Sequence, residues 1–135
     1  MPQMIFVNLP VKDLKKSTEF YTSLGYSFNP QFTDEKAGCL VISDTIFVML
    51  LTDSYFKTFT SKNVIDAKKD IQVLNCLSAN SKQEVDDIVA KAVAAGGKIP
   101  REAQDYGFMY NHSFEDLDGH TWEYAYMDMS AMPQQ

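Results

Sequence analysis

The sequence has few of the residues that mark specialised protein classes. Its two cysteines, Cys39 and Cys76, fit neither a metal-ligand nor a redox spacing, so we expect free thiols in strands. Six glycines and five prolines are too few for a low-complexity or disordered region. No apolar run approaches the about 20 residues of a membrane-spanning helix. These absences favour a folded domain with no membrane partner.

Basic residues are also scarce. The 12 lysines and arginines are outnumbered by 18 aspartates and glutamates, which gives a formal net charge of −6. Nucleic-acid binding neutralises phosphates with basic side chains, so we expect no nucleic-acid partner. A cationic or neutral small ligand suits this balance better. The opening residues MPQMIFVNLPV lack the basic segment and long apolar run of a signal peptide, which predicts a cytoplasmic location.

The residues that are present support a core, because 45% of the 135 residues are hydrophobic. Their pattern predicts a strand, a helix and three strands, twice. In the first half, strands are expected at 4–9, 26–33, 39–43 and 45–52, with a helix at 14–24 that begins after Asp13. In the second half, strands are expected at 71–77, 98–101, 108–114 and 121–126. The second helix begins at a capping box, Ser81 to Glu84, and stops at Gly96.

This order predicts an α+β fold of two βαβββ modules paired around a cleft. Module one covers about 1–52 and module two about 71–128. A connector at about 53–70, with a short helix over the core, joins them. The alternative is a single α+β sheet of the ferredoxin type.

The stretch FEDLDGHTWEYAY, residues 114–126, reads as a hairpin with a tight turn. Its second arm alternates, which places Glu123 on the opposite side from Trp122 and Tyr124. A carboxylate in the middle of a strand must be paired, protonated or functional. Glu123 is therefore the leading candidate for a catalytic or binding group. The structural alternative is a hydrogen bond to the backbone or to Asn8.

Other polar residues are candidates because of their strand positions. Asn8 shares a face with Phe6 and either holds a ligand carbonyl or bonds within the sheet. Cys76 follows Leu74 on one face, where its thiol either points into a cavity or packs inertly. Two further residues, Asn111 and Ser113, share a face and line the cleft if that face is inward.

Histidines and aromatic residues outside these strands are weaker candidates. His112 and His120 are expected at the surface rather than as ligands. Two aromatic segments are expected either to form lids over a flat ligand or to pack on the core: Tyr55, Phe56 and Phe59, and residues 105–108.

Three stretches together resemble the vicinal oxygen chelate superfamily of glyoxalases, bleomycin-resistance proteins and dioxygenases. They are LPVKDL at 9–14 running into Phe20-Tyr21 and Leu24-Gly25, then AAGG at 94–97, then EDLDGH at 115–120 running to Glu123. The likeness covers nearly the whole chain. The chain also looks like the small bacterial branch labelled predicted lactoylglutathione lyase, and the resemblance implies the paired βαβββ fold and a homodimer.

The resemblance also implies a metal position on the first and last strand of each module. These positions fall on Phe6, Leu50, Leu74 and Glu123. Only Glu123 can bind a metal, whereas catalytic zinc usually has three protein ligands. We therefore expect no metal cofactor. A divalent metal becomes possible if the strand register differs by one residue, which would present Asn75 in place of Leu74.

Three functions follow as hypotheses. The first is a metal-independent protein that binds a small organic molecule in the cleft, with Glu123 and Asn8 at the ligand and Phe6, Leu50 and Leu74 as apolar wall. The second is a lyase or isomerase of lactoylglutathione lyase type with Glu123 as base, which needs a divalent metal or another electrophile. The third is an interaction module without a ligand. Whether the protein is an enzyme stays open at this point.

Overall fold

The computed structural model describes residues 2–131. The chain forms two compact units that divide between Asp66 and Ala67. This division lies inside the connector expected at 53–70. Among residues 2–131, no helix has the length and apolar character that crossing a membrane requires.

The first unit is a four-stranded sheet with one long helix. Its elements are β1 (Ile5–Val11), α1 (Leu14–Ser23), β2 (Ser27–Phe28), β3 (Ala37–Val41) and β4 (Ile46–Thr52). The strand order is β1-β4-β3-β2, with β1 parallel to β4 and the other pairs antiparallel. A short helix, α2 (Asp53–Phe56), and a 3-10 turn at Lys57–Phe59 follow, as predicted for the connector.

The second unit repeats this topology. Its elements are β5 (Leu74–Ala79), α3 (Lys82–Ala94), β6 (Gln104–Asp105), β7 (Met109–Glu115) and β8 (Thr121–Met127). The strand order is β5-β8-β7-β6, again with the first strand parallel to the last. The prediction of two βαβββ modules is thus confirmed. The alternative of one ferredoxin-type sheet is wrong, because the strands form two separate sheets.

Both long helices begin at the predicted caps. The Asp13 carboxylate accepts a hydrogen bond from the backbone N–H of Lys16, and the Ser81 hydroxyl accepts one of 3.0 Å from the N–H of Glu84. The Glu84 carboxylate accepts from the N–H of Asn80 at 2.9 Å, one residue earlier than a standard capping box. Gly96, with φ of +105°, follows the end of α3 as predicted.

Two predicted strands are wrong, and a proline accounts for each difference. In the segment 26–33, only Ser27–Phe28 forms a strand, and a 3-10 turn starts at Pro30, which has no N–H for a sheet ladder. In the segment 98–101, which contains Pro100, only Lys98 forms a single bridge, to Glu115. The edge strand β6 lies further along the chain.

Each helix covers one face of its own sheet. In the second unit, strand alternation places Phe114, Trp122 and Tyr124 on one face, and all three are buried. The inward residues of α3, Val85, Val89 and Ala92, are buried as well. Burying these six side chains stabilises the unit by removing apolar surface from water. The opposite face of this sheet carries the polar residues considered next.

Candidate functional site

The face of the second sheet opposite α3 is centred on Glu123. Register pairs Glu123 with Cys76 on β5 and with Ser113 on β7, so the three residues form one row across the sheet. The neighbouring row pairs Thr121 with Leu74 and with Glu115. Successive side chains of β8 point to opposite faces of the sheet, so Glu123 lies on the opposite face from Trp122 and Tyr124, as predicted.

A groove of about 290 Å³ lies over this face, within the second unit. Its floor is the sheet, where Leu74, Ser113, Glu115, Thr121 and Glu123 line it. One wall is the segment Ala67 to Ile71, and the other is Pro100 with Arg101. The floor is thus polar at its centre and apolar at Leu74.

The first wall reaches the sheet because Gly119 has no side chain. A Cβ at this position would lie 2.7 Å from the carbonyl carbon of Ala67 and 2.7 Å from the backbone nitrogen of Lys68. Gly119 also has a φ of +91°, which favours glycine. Asp116 shapes the same turn, since its carboxylate accepts hydrogen bonds from the N–H groups of Asp118 and His120.

The second wall is held by backbone hydrogen bonds at the end of β7. The N–H of Glu115 donates to the Lys98 carbonyl at 2.7 Å, and the N–H of Lys98 donates to the Glu115 carbonyl at 3.1 Å. This bridge fixes the chain two residues before Pro100. The groove therefore depends on two contacts between residues that are far apart in sequence.

The Glu123 carboxylate lies in the groove without a partner. Its side chain is half-buried, and among residues 2–131 it forms neither a hydrogen bond nor an ion pair. The alternative of a hydrogen bond to the backbone is therefore wrong. In the first unit, the Asn8 side chain donates to the carbonyl of Phe6 at 3.2 Å.

Cys76 stands beside this carboxylate. The thiol is free and the residue exposed, so the alternative of a packed cysteine is wrong, whereas Cys39 is buried. Burial, and then the charge of Glu123, raise the pKa of the Cys76 thiol above its ordinary value. A raised thiol pKa leaves little thiolate at neutral pH, which argues against a nucleophilic role.

The remaining predicted groups of the second unit separate into two sets. Leu74 and Ser113 line the groove with Glu123. Asn111 and Cys76 share the same face but do not line the groove, and Asn111 pairs with Gln104 and Ala125.

Glu115 and Thr121 were missed as site residues. Both flank the hairpin turn and pair directly with each other. The alternation that predicted the position of Glu123 also places Thr121 on the same face of β8. The length of the hairpin turn then sets Glu115 opposite Thr121, on that face of β7. That signal was present in the sequence.

In the first unit, the expectation that Leu50 shares a surface with Phe6 is wrong. Leu50 pairs with Gly38, where an added Cβ would lie 3.2 Å from the Phe28 ring and 3.4 Å from Leu14 of α1, and Leu50 is 0% exposed. Phe6 lies on the other face, 48% exposed and stacked on Phe47 with ring centroids 4.9 Å apart. Asn8 lies on this face too, paired with Met49 in the next row.

The implied metal positions do not offer the donors a metal needs. Leu74 lies on the Glu123 face and Asn75 on the opposite one, so the alternative register is not seen. If the implied position on β4 is Met49 instead of Leu50, the set gains only a thioether sulfur, which is a weak metal ligand. In the described part of the chain, no group of three or more His, Cys, Asp or Glu residues is placed to hold a metal ion.

The histidines and lid candidates lie elsewhere. His112 pairs with Tyr124 on the α3 side, and its Nδ1 is buried without a hydrogen-bond partner in the described structure, so its predicted surface position is wrong. His120 is half-buried in the turn.

The aromatic lid candidates lie outside the groove. Tyr55 packs edge-on against Phe59, with ring centroids 5.1 Å apart, within the first unit. Gly107, with φ of +84°, donates its N–H to the Asp105 carboxylate.

The chain is similar to one family model and to several solved structures. The family model described as bleomycin resistance protein-like N-terminal matches residues 3–43. A hypothetical protein of S. aureus is 31% identical over 93% of this chain and 95% of its own, with a TM-score of 0.78.

More distant structures share the fold. A glyoxalase/bleomycin resistance protein/dioxygenase family enzyme of Burkholderia phytofirmans is 16% identical over 93% of this chain and 99% of its own, with a TM-score of 0.78. The fosfomycin resistance protein FosX of Listeria monocytogenes is 18% identical over 100% and 96%, with a TM-score of 0.68. No curated protein gives a significant match.

Proposed function

Because the chain belongs to the vicinal oxygen chelate superfamily of glyoxalases, bleomycin-resistance proteins and dioxygenases, we propose that it is a cytoplasmic protein that binds a small organic molecule without a metal. The binding site is the groove over the second sheet, with Glu123 on its floor. Its volume of about 290 Å³ is at the lower end of the range for small-molecule sites.

The observation that carries this proposal is the state of Glu123. A half-buried carboxylate without a hydrogen bond or ion pair from the described residues loses solvation that nothing in the protein replaces. A ligand that donates hydrogen bonds would replace it. Leu74 and Ile71 supply apolar contact beside it, which is the usual composition of a small-molecule site.

The metal-free part of the proposal rests on donor chemistry. Of the four implied positions, Phe6, Leu50 and Leu74 carry hydrocarbon, which leaves Glu123 as the one strong ligand. Met49, the neighbour of Leu50 on the Phe6 face, carries only a thioether. Metal-dependent lyase chemistry needs an electrophile held by more donors than this. We therefore place Glu123 in ligand binding.

The test of binding is a two-dimensional amide NMR titration of the EDTA-treated protein with a small-fragment library. We expect a subset of fragments to shift the amides of Ser113, Thr121 and Glu123, and Glu123→Gln to weaken that binding. Glu102→Gln is the matched control, because it removes the same charge from an exposed residue outside the groove. If no fragment shifts the groove amides, the proposal is wrong.

Metal analysis separates this function from the lyase. We expect purified protein to contain no stoichiometric nickel or zinc and to leave a glutathione hemithioacetal unchanged. A stoichiometric metal that is lost in Glu123→Gln, together with turnover of the hemithioacetal, would establish the lyase instead.

We also infer that the protein works as a homodimer. Each unit exposes large apolar residues near its first strand, a feature that marks interaction surfaces. Ile5 and Phe6 are 54% and 48% exposed, and Val73 and Leu74 are 60% and 55% exposed. Light scattering after gel filtration should give twice the mass of 15.3 kDa, and a single-chain mass at high protein concentration would contradict this.

A further inference from the structure

Four side chains on the floor of the groove form a compact polar block, the floor quartet: Ser113, Glu115, Thr121 and Glu123. Register pairs Ser113 with Glu123 and Glu115 with Thr121. The two carboxylates therefore lie on one diagonal of the block and the two hydroxyls on the other. Diagonal neighbours on adjacent antiparallel strands are about 7 to 8 Å apart, so one small group at the centre can reach all four.

The two residues of the quartet that carry hydroxyls are more than nine-tenths buried, and their hydroxyls have no hydrogen-bond partner among the described residues. Ser113 and Thr121 are 5% and 7% exposed, and both line the groove. Neither hydroxyl takes part in a hydrogen bond within the part of the chain that the structure describes. Because both residues line the groove, a ligand there would give each hydroxyl a hydrogen-bond partner.

The carboxylates of the quartet also lack partners. The side-chain carboxylates of Glu115 and Glu123 accept no hydrogen bond and form no ion pair with any residue in the range 2–131. Two negative charges at this spacing repel each other, and a cation between them would remove the repulsion and form charge-assisted hydrogen bonds. The quartet thus combines two negatively charged hydrogen-bond acceptors with two hydroxyl oxygens that can also accept hydrogen bonds.

The basic residues of the groove lie on its walls. Lys68, Lys69 and Arg101 are exposed, whereas the four residues of the floor quartet are buried or half-buried. Neither Lys69 nor Arg101 forms an ion pair with a described residue. Because these side chains are exposed, solvent screens their charges more strongly than it screens a charge on the floor.

Building on the binding function proposed above, we propose that the ligand carries a nitrogen cation with several N–H donors, a primary ammonium or a guanidinium, which inserts into the floor quartet. Each carboxylate accepts one N–H. The third N–H of an ammonium is accepted by the hydroxyl of Ser113 or of Thr121, whereas a guanidinium has enough N–H groups for both hydroxyls. An apolar stem on the ligand then lies against Leu74. The quartet selects for N–H donors as well as for positive charge.

The experiment uses four probes with the same butyl stem: n-butylammonium, n-butylguanidinium, n-butyltrimethylammonium and n-butanol. Binding to the full chain is followed by NMR shifts of the quartet amides. We expect butylammonium or butylguanidinium to bind about tenfold or more tightly than butyltrimethylammonium, which has the charge but no N–H. Equal affinity for the trimethylated probe would overturn the proposal.

Variants of the quartet provide the second test. Glu115→Gln should weaken binding of the tighter probe about tenfold, because it replaces a charge-assisted hydrogen bond. Glu102→Gln, the matched control, should leave it unchanged. Thr121→Val should weaken binding and Thr121→Ser should retain it, which separates loss of the hydroxyl from a defect in folding. Unchanged binding in both Glu115→Gln and Thr121→Val would contradict the proposal.

The fragment library distinguishes this inference from the binding function. If neutral or anionic fragments shift the groove amides and neither N–H cation does, the quartet is not a cation site, although the groove still binds a ligand. If no probe and no fragment binds, both proposals fail together.

Discussion

Cys76 and Glu123 lie directly opposite each other on the parallel strands β5 and β8. Burial and the Glu123 charge together raise the pKa of the Cys76 thiol, in that order of importance. We predict that Glu123→Gln lowers this pKa part of the way to its ordinary value, because burial remains. The measurement is the pH dependence of iodoacetamide alkylation in a Cys39→Ala background, which leaves one thiol. An unchanged profile would show that the two groups do not interact.

Tyr110 is predicted to stabilise the protein in a pH-dependent way. Its hydroxyl donates to the Asp86 carboxylate at 2.6 Å. This bond, followed by desolvation and the charges of Asp86 and Asp105, raises the pKa of Tyr110 from 10.0 to about 12. Because the folded state favours the protonated phenol, the contribution is complete below pH 10 and is lost between pH 10 and about 12.

The corresponding variant is Tyr110→Phe. We expect it to lower the free energy of unfolding by about 1 kcal/mol at neutral pH, a small value because the pair is exposed to solvent. The difference from wild type should shrink above pH 10. Tyr106→Phe, at an exposed neighbouring tyrosine, is the control. Urea unfolding at several pH values measures both, and a difference that grows with pH would contradict the prediction.

Gly119 is predicted to be necessary for the first wall of the groove. A methyl group there would lie 2.7 Å from the backbone of Ala67 and Lys68, and the positive φ adds strain. Gly119→Ala should destabilise the protein by more than the about 1 to 3 kcal/mol that backbone strain alone costs. Gly107→Ala is the matched control, with φ of +84° and nothing within 4 Å of the added atom. Equal losses in urea unfolding would mean that the close approach has no role.

The face of β4 can be tested through Leu50 and Phe6. Leu50 is 0% exposed, so Leu50→Ala should lower the free energy of unfolding by about 2 to 5 kcal/mol. Phe6→Ala should cost clearly less, because Phe6 is 48% exposed. Comparable losses of unfolding free energy in the two variants would contradict the assignment of Leu50 to the buried face and Phe6 to the exposed face.

Elements whose hydrogen bonds are local could be predicted from the sequence. The hairpin turn closes through bonds between Asp116, Asp118 and His120, which are at most four residues apart. The start of α3 is fixed in the same way by Ser81 and Glu84. Alternation placed Glu123 opposite Trp122, because large aromatics and a carboxylate at successive positions of a strand define two different faces.

The first unit shows where alternation stops being informative. Residues 46–51 read IFVMLL, and a continuous apolar run does not indicate which side faces the core. The packing of α1 against Gly38 and its neighbour Leu50 decided the side. A shift of one residue was enough to exchange Leu50 for Met49.

By itself, the sequence determined the two βαβββ repeats, the caps and turns, and the side of β8 on which Glu123 lies, because each depends on residues close together in the chain. Only the tertiary structure decided the groove. Its walls reach the floor through Gly119 against Ala67 and through the backbone bridge of Lys98 to Glu115. Such contacts join segments separated by many residues, and no local pattern encodes the distance between them.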